Sequence, residues 1–262
     1  MATGLLFPEG PAFDLQNQLW CVEQHGAAIA CIKDGQIKRT RVGGCPNGIA
    51  IDDKQRVWFC DSGENSIRLY DPQSDQTKSI CSQLNGEALN MPNDLAFDRR
   101  GQLVFTCPGP RLEENRGYIC VYTNDNKLYE IYNQLYYPNG LAFSADGKKL
   151  FVAETGKKRI WVGDWEEETA TWQHTRIFAY TDGIIGPDGM AFDEDGFLYV
   201  ALFGSGCIRV FDPEGGHYRD LPAGGLNPSN CAFDPTQRCG LVVTETATGS
   251  IISLPVFKKG IL

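Results

Sequence analysis

Residues 187–201 read PDGMAFDEDGFLYVA, and the opening phrase of that stretch returns five more times along the chain. It stands as PEGPAFD from Pro8, PNGIAID from Pro46, PNDLAFD from Pro92, PNGLAFS from Pro138 and PSNCAFD from Pro228. Successive copies lie 38 to 49 residues apart, the size of one β-propeller blade. Each copy is followed by a turn of Gly, Asp, Asn or Lys and then by an apolar run: LWCVE, VWFCD, LVFTC, LFVAE, LYVAL or LVVTE. A second turn leads into another such run: AIACI, SIRLY, YICVY, RIWVG, CIRVF or SIISL. Runs this short, rich in β-branched and aromatic residues and bounded by turn formers, read as strands. The spacers between them carry Gly and Pro every few positions, which leaves no room for the amphipathic helices of a doubly wound α/β fold. The spacing therefore predicts an all-β chain, a six-bladed β-propeller forming one domain over residues 1–262.

A radial array must hide its two open edges. After SIISLPV only FKKGIL remains, too little for a turn and a fourth strand. Thr3 to Phe7 is therefore expected to close the last blade beside Ile251 to Val256. The polar stretch GDWEEETATW from Gly163 reads as an outer connection of blade four, and GSG at Gly204 to Gly206 as a hairpin turn.

The composition narrows the function. A net charge of −9, from 24 Lys+Arg against 33 Asp+Glu, argues against nucleic acid, whose phosphates need a clustered basic surface. The ten cysteines contain no C-x-x-C pair and mostly sit in apolar runs, so they are expected to be free, buried thiols. MATGLLFPEG has neither a basic segment nor a long apolar run, and no stretch approaches a membrane span of about 20 apolar residues. A cytoplasmic protein, off the membrane and monomeric or a weak homodimer, is the expectation. There is no G-x-S-x-G or P-loop, and none of the three histidines lies in H-E-x-x-H.

In a propeller the first strand of each blade lines the central channel, so equivalent positions of the six phrases form a ring. The second residue of each phrase is Glu9, Asn47, Asn93, Asn139, Asp188 or Ser229. All are polar, whereas the Ala-Phe or Ala-Ile that follows in each phrase stays apolar. Polar groups converging on an axis cost free energy unless satisfied, and neighbouring carboxylates repel. One divalent cation answers both problems, and an all-oxygen set of two carboxylates and amide carbonyls suits Ca²⁺ first, with Mg²⁺, Mn²⁺ or Zn²⁺ as further options. A water-filled polar channel is the alternative. The second strands return to the same face and end in Glu23, Asp61, Glu154 and Glu245, which are candidates to approach the cation or a substrate. Blade three opens there into CPGPRLEENRG, and this loop, with Arg111, reads as a lid or specificity loop.

The phrases EGPAFD, PNDLAFDRRG, PNGLAFSADGKKLFVAET, PDGMAFDEDGFLYVA and NPSNCAFD together resemble the SMP-30/gluconolactonase/LRE-like family, six-bladed propellers that hydrolyse sugar lactones. The resemblance covers essentially the whole chain. It implies a divalent metal, usually Ca²⁺ or Zn²⁺, held by Glu9, Asn93, Asn139 and Asp188, with Asp188 also the catalytic base. Asn47 matches no ligand of that family and is expected in the pocket as a hydrogen-bond partner. Animal members carry a substrate-contacting Arg where this chain has Met91, so substrate identity does not transfer. Asn47, Met91, Arg111 and Glu154 are the expected substrate contacts. The implied reaction is hydrolysis of a lactone, its carbonyl polarised by the metal and its attacking water deprotonated by Asp188. An esterase or organophosphate hydrolase on the same scaffold, or a ligand-binding propeller with a structural Ca²⁺, are the competing readings.

Overall fold

The computed structural model describes residues 1–33 and 35–260; the last two residues of the expected domain, 261 and 262, lie outside the described residues. Six four-stranded antiparallel sheets follow one another along the chain. Their innermost strands are Pro8–Phe13, Pro46–Ile51, Leu95–Phe97, Pro138–Phe143, Gly186–Phe192 and Pro228–Phe233. Each sheet then runs outward in chain order, as in Pro8–Phe13, Leu19–Glu23, Ala28–Lys33 and Gln36–Arg41 of blade 1. This is the six-bladed β-propeller read from the repeat. Among the described residues no helix is long and apolar enough to cross a membrane.

Two-residue alternation explains the core. Each blade offers an apolar face to both neighbours, and the buried side chains fall into six clusters, one per blade interface. Between blades 4 and 5, for example, Phe151 packs edge-on to Phe178 and Phe192, with ring centroids 5.0 and 4.8 Å apart, an aromatic geometry that adds to area burial. All ten cysteines are free, six of them buried.

The aspartate that ends most phrases is structural. Asp14 accepts hydrogen bonds from the Gln16 and Gln18 amides at 2.9 and 2.8 Å and from Trp20 Nε1 at 2.8 Å. Asp52 does the same with the Lys54 and Arg56 amides and Trp58 Nε1. One carboxylate thus fixes the turn and ties the first strand to the second. In blade 4 Ser144 takes this place and accepts from the Lys149 amide.

Closure uses the N-terminus, over a shorter strand than the expected Thr3 to Phe7. Ala2–Thr3 pairs antiparallel with Ile251 and Ser250 as the outer strand of blade 6. Leu5 donates its amide to the Gly249 carbonyl, and Phe7 has turned into a left-handed conformation, φ 59°, so residues 4–7 already lead to the channel. The expected outer connection from Gly163 is also corrected. Its first part belongs to the strand Arg159–Glu166, and its end enters the strand Thr171–Tyr180, because Trp165 and Trp172 face each other across the ladder and are buried in the core.

Candidate metal centre

A β-bulge builds the ring. In blades 1, 2, 4, 5 and 6 the pairing of the first two strands shifts register right after the phrase begins, as between Glu9 and Ala12 or between Pro187 and Met190. An extra residue bends the strand and re-aims its side chain. In blade 3 the phrase lies ahead of the ladder: the Asn93 amide donates to the Thr106 carbonyl at 2.9 Å and the Asn93 carbonyl accepts from Gly48 at 2.8 Å. Three hydroxyls tie the phrase of one blade to its neighbour. Thr106 Oγ1 donates to the Asn139 carbonyl at 2.8 Å, and Thr155 Oγ1 to the Pro187 carbonyl at 2.7 Å. Ser229 Oγ donates to the Pro8 carbonyl across the closure, at 3.2 Å.

The structure gathers Glu9, Asn139 and Asp188 at one end of the channel, where Asn139 hydrogen-bonds to Asp188 and its amide nitrogen donates to Thr155 Oγ1 at 3.3 Å. Asn47, on the neighbouring inner strand, is 8% exposed, and Ser229 is fully buried and hydrogen-bonded to Glu9. Asn93 is half-buried beside Asp94.

Asp94 was not among the sequence-derived site residues. In blades 1, 2, 4 and 5 a glycine follows the ring residue, because the neighbouring blade lies too close there for a Cβ. A Cβ on Gly48 would lie 2.1 Å from Asp94 Oδ1 and 2.7 Å from Asp94 Cα, and one on Gly189 would lie 2.0 Å from Asn230 Cγ. Only blades 3 and 6, opposite each other in a ring of six, carry side chains here, Asp94 and Asn230. The two hydrogen-bond to one another and so span the axis. The readable signal was the departure of PND and PSN from the glycine of the other phrases.

Three carboxylates therefore share the buried axis. Burial and then the Asp94 charge push Glu9 up to about 8, and burial pushes Asp94 up to about 7 against opposing hydrogen bonds from Leu95, Leu141 and Asn230. Asp188 is raised well above the ordinary carboxylate range by burial, then by Glu9 and Asp94. No Lys, Arg or His contributes to any of these shifts. Negative charge without a basic partner, surrounded by amide oxygens, is the setting a hard divalent cation fits. Among the described residues no three His, Cys, Asp or Glu side chains form a metal cage, so such a cation would need carboxylates and amide oxygens together.

Glu154 does not face this site. It is fully buried, accepting from the Tyr136 amide through Oε1 and from Arg159 and Trp161 Nε1 through Oε2. Glu23, Asp61 and Glu245 are spent in the same way, Glu23 on the Leu6 amide and Arg39, Asp61 on the Cys45 amide and Arg68, and Glu245 on Asn227 and Thr248. These carboxylates clamp the ends of the second strands, which corrects their expected approach to cation or substrate. Arg111 is exposed: 70% of its side chain is open to solvent, and it lies 3.8 Å from Glu114. The loop itself leans on blade 4, where a Cβ on Gly156 would meet the Leu112 carbonyl at 2.1 Å. Met91 is half-buried directly before the blade-3 phrase, with φ 56°. Tyr137 holds the corresponding place in blade 4, φ 57°. Its phenol is pushed up to about 12 by burial and by the nearby Asp188 and Glu9 charges, so it too belongs at the ring.

Comparison with known proteins agrees with this architecture. The chain is 32% identical to diisopropyl-fluorophosphatase of Loligo vulgaris, with 93% of this chain and 87% of that protein covered. It is 30% identical to a gluconolactonase of Zymomonas mobilis over 71% of this chain and 57% of that protein. A solved gluconolactonase from Xanthomonas campestris superposes with a TM-score of 0.83 at 28% identity, covering 94% of this chain and 85% of its own. The family model for the SMP-30/gluconolactonase/LRE-like region matches residues 7–247. With its six repeated phrases, its bulged ring and this match over most of its length, the chain belongs to the SMP-30/gluconolactonase/LRE-like family.

Proposed function

We propose that the protein hydrolyses a lactone at the ring of blade starts and uses one divalent cation, Ca²⁺ first, held by Glu9, Asn93, Asn139 and Asp188. The observation that carries this reading is the trio of carboxylates at the axis, two buried and one half-buried, without a basic partner. The gluconolactonase relatives supply the reaction class. A bound cation supplies Lewis-acid polarisation of the ester carbonyl. Asp188, held by the Asn139 amide, accepts a proton from the attacking water. Water oxygen bonds to the carbonyl carbon, the ring C–O bond breaks, and the alkoxide leaves with the transferred proton, giving a hydroxy acid. Asn47 orients a substrate oxygen. The Asp94–Asn230 pair closes the channel below the ring and limits water there.

The test is proton release over a panel of γ- and δ-lactones, with and without EDTA. Turnover that EDTA abolishes and added Ca²⁺ restores is the expected result. Unchanged melting and unchanged turnover in EDTA would remove the cation from the reading. A second reaction on the same residues, hydrolysis of an organophosphate, is favoured by the identity to diisopropyl-fluorophosphatase, and fluoride release from a dialkyl phosphofluoridate measures it.

A further inference from the structure

Directly before the ring prolines stand Phe7, Met91 and Tyr137, all in left-handed backbone at φ 59°, 56° and 57°. This conformation is rare for bulky residues, and the α region is disfavoured before proline. Strain of this kind persists only where the surroundings enforce it, and it gathers at functional sites. The three positions are equivalent in blades 1, 3 and 4, each two residues before Glu9, Asn93 or Asn139. Neighbouring bonds fix them. The Met91 amide donates to Asn65 Oδ1 at 3.0 Å, the Tyr137 carbonyl accepts from the Thr155 amide at 3.0 Å, and Phe7 stacks on His25 with ring centroids 4.6 Å apart.

The surroundings are apolar as well. Leu6, Ile184 and Leu226, in the segments leading into the phrases of blades 1, 5 and 6, are 56%, 73% and 68% exposed. The lysines at this end are engaged: Lys157 Nζ lies 3.7 Å from the Tyr136 ring centroid, and Lys158 Nζ donates to the Gly183 carbonyl at 2.8 Å. A polyhydroxylated lactone placed against Phe7 and Met91 leaves hydroxyls without partners, a loss that a polar site avoids and an apolar site cannot. An alkyl or aryl substituent meets no such penalty. Tyr137 offers one hydroxyl, free of hydrogen bonds to the described residues, for a single oxygen of the substrate.

We propose that Phe7, Met91 and Tyr137 form the substrate wall above the ring and select a lactone bearing an apolar substituent over a sugar lactone. The inference rests on the lactone-hydrolase reading. The experiment compares kcat/KM for δ-decalactone and glucono-δ-lactone, the same ring size, after subtraction of spontaneous hydrolysis. Wild type is expected to favour the alkyl lactone at least tenfold. Met91→Arg and Phe7→Ser are each expected to lower that ratio at least tenfold, mainly through a higher KM for the alkyl lactone. A ratio measured within one preparation cancels any loss of folded protein. Preference for glucono-δ-lactone, or a ratio that neither substitution moves, overturns the inference and leaves the hydrolase reading standing. Turnover of neither lactone overturns both.

Discussion

Seven carboxylates gather at one end of this propeller, six buried and Asp188 half-buried, in two settings. Glu23, Asp61, Glu154 and Glu245, at the ends of the second strands, are at most 1% exposed, and each is answered by backbone amides, an arginine, an indole or a hydroxyl. Glu9, Asp94 and Asp188, nearer the axis, have no basic partner, and burial raises their pKa values. Glu9 and Asp94 are nearly as deeply buried, at 6% and 7% exposed, and Asp188 is half-buried. What differs is whether the fold has already supplied the counter-charge. The outer set is complete and holds the blades, whereas the inner set has no basic partner within the fold, the setting in which we propose a cation.

The sharpest way to break this contrast is to neutralise one member of each set. Asp188→Asn should lower lactone turnover by about 10²–10⁴-fold, the usual contribution of a general base, with the melting temperature unchanged or raised. Glu154→Gln should retain turnover and lose about 3 kcal/mol of stability, because it strands Arg159. Assay and urea denaturation run together distinguish the two, and the reverse pattern would void the division.

Removing residues 1–7 attacks the outer set through its backbone partner. It takes the Leu6 amide from Glu23 and Ala2 and Leu5 from the interface of blades 6 and 1, and should cost about 3–5 kcal/mol, as expected for a lost buried Leu plus an unpaired carboxylate oxygen. An unchanged urea midpoint would show that closure does not depend on this segment.

The pH dependence without a cation tests the inner set. Glu9 and Asp94 have folded-state pKa values of about 8 and about 7 against ordinary values of 4.5 and 3.8. Their contribution is complete below the ordinary values, where both are protonated folded and unfolded, and it is lost as pH rises through 7 to 8. In EDTA the melting temperature should fall by several degrees between pH 5 and pH 8, and saturating Ca²⁺ should remove most of that fall. Asp94→Asn should produce the smallest effect, a gain of about 1 kcal/mol in EDTA that flattens the pH profile. An Asp94→Asn protein as pH-sensitive as wild type would separate Asp94 from the axial charge.

The fold and the ring were legible because one phrase repeats six times, and repetition fixes both blade count and channel-facing position. Glu9, Asn139 and Asp188 followed from that register alone. The outer clamps were misjudged because a carboxylate at a strand end looks the same whether it faces a channel or an arginine. The missing information was the hairpin pairing that sets Arg159 opposite Glu154 and Arg68 within reach of Asp61. Asp94 and Asn230 escaped notice because they replace glycines, and the significance of a missing glycine appears only when neighbouring backbones are seen to touch. The closing strand was right in kind and too long, since the chain needs Gly4 to Phe7 to climb from the rim of blade 6 to the axis.

Neighbouring blades meet backbone to backbone beside Gly10 and Gly140, without side-chain padding to trim or thicken. The throat is therefore a fixed aperture whose width follows from the number six. Evolution can repaint the rim, where Phe7, Met91 and Tyr137 sit on connecting segments, far more easily than it can resize the hole. New substrates on this scaffold are then expected to come from changes above the ring, with the ion and its seat carried along unaltered.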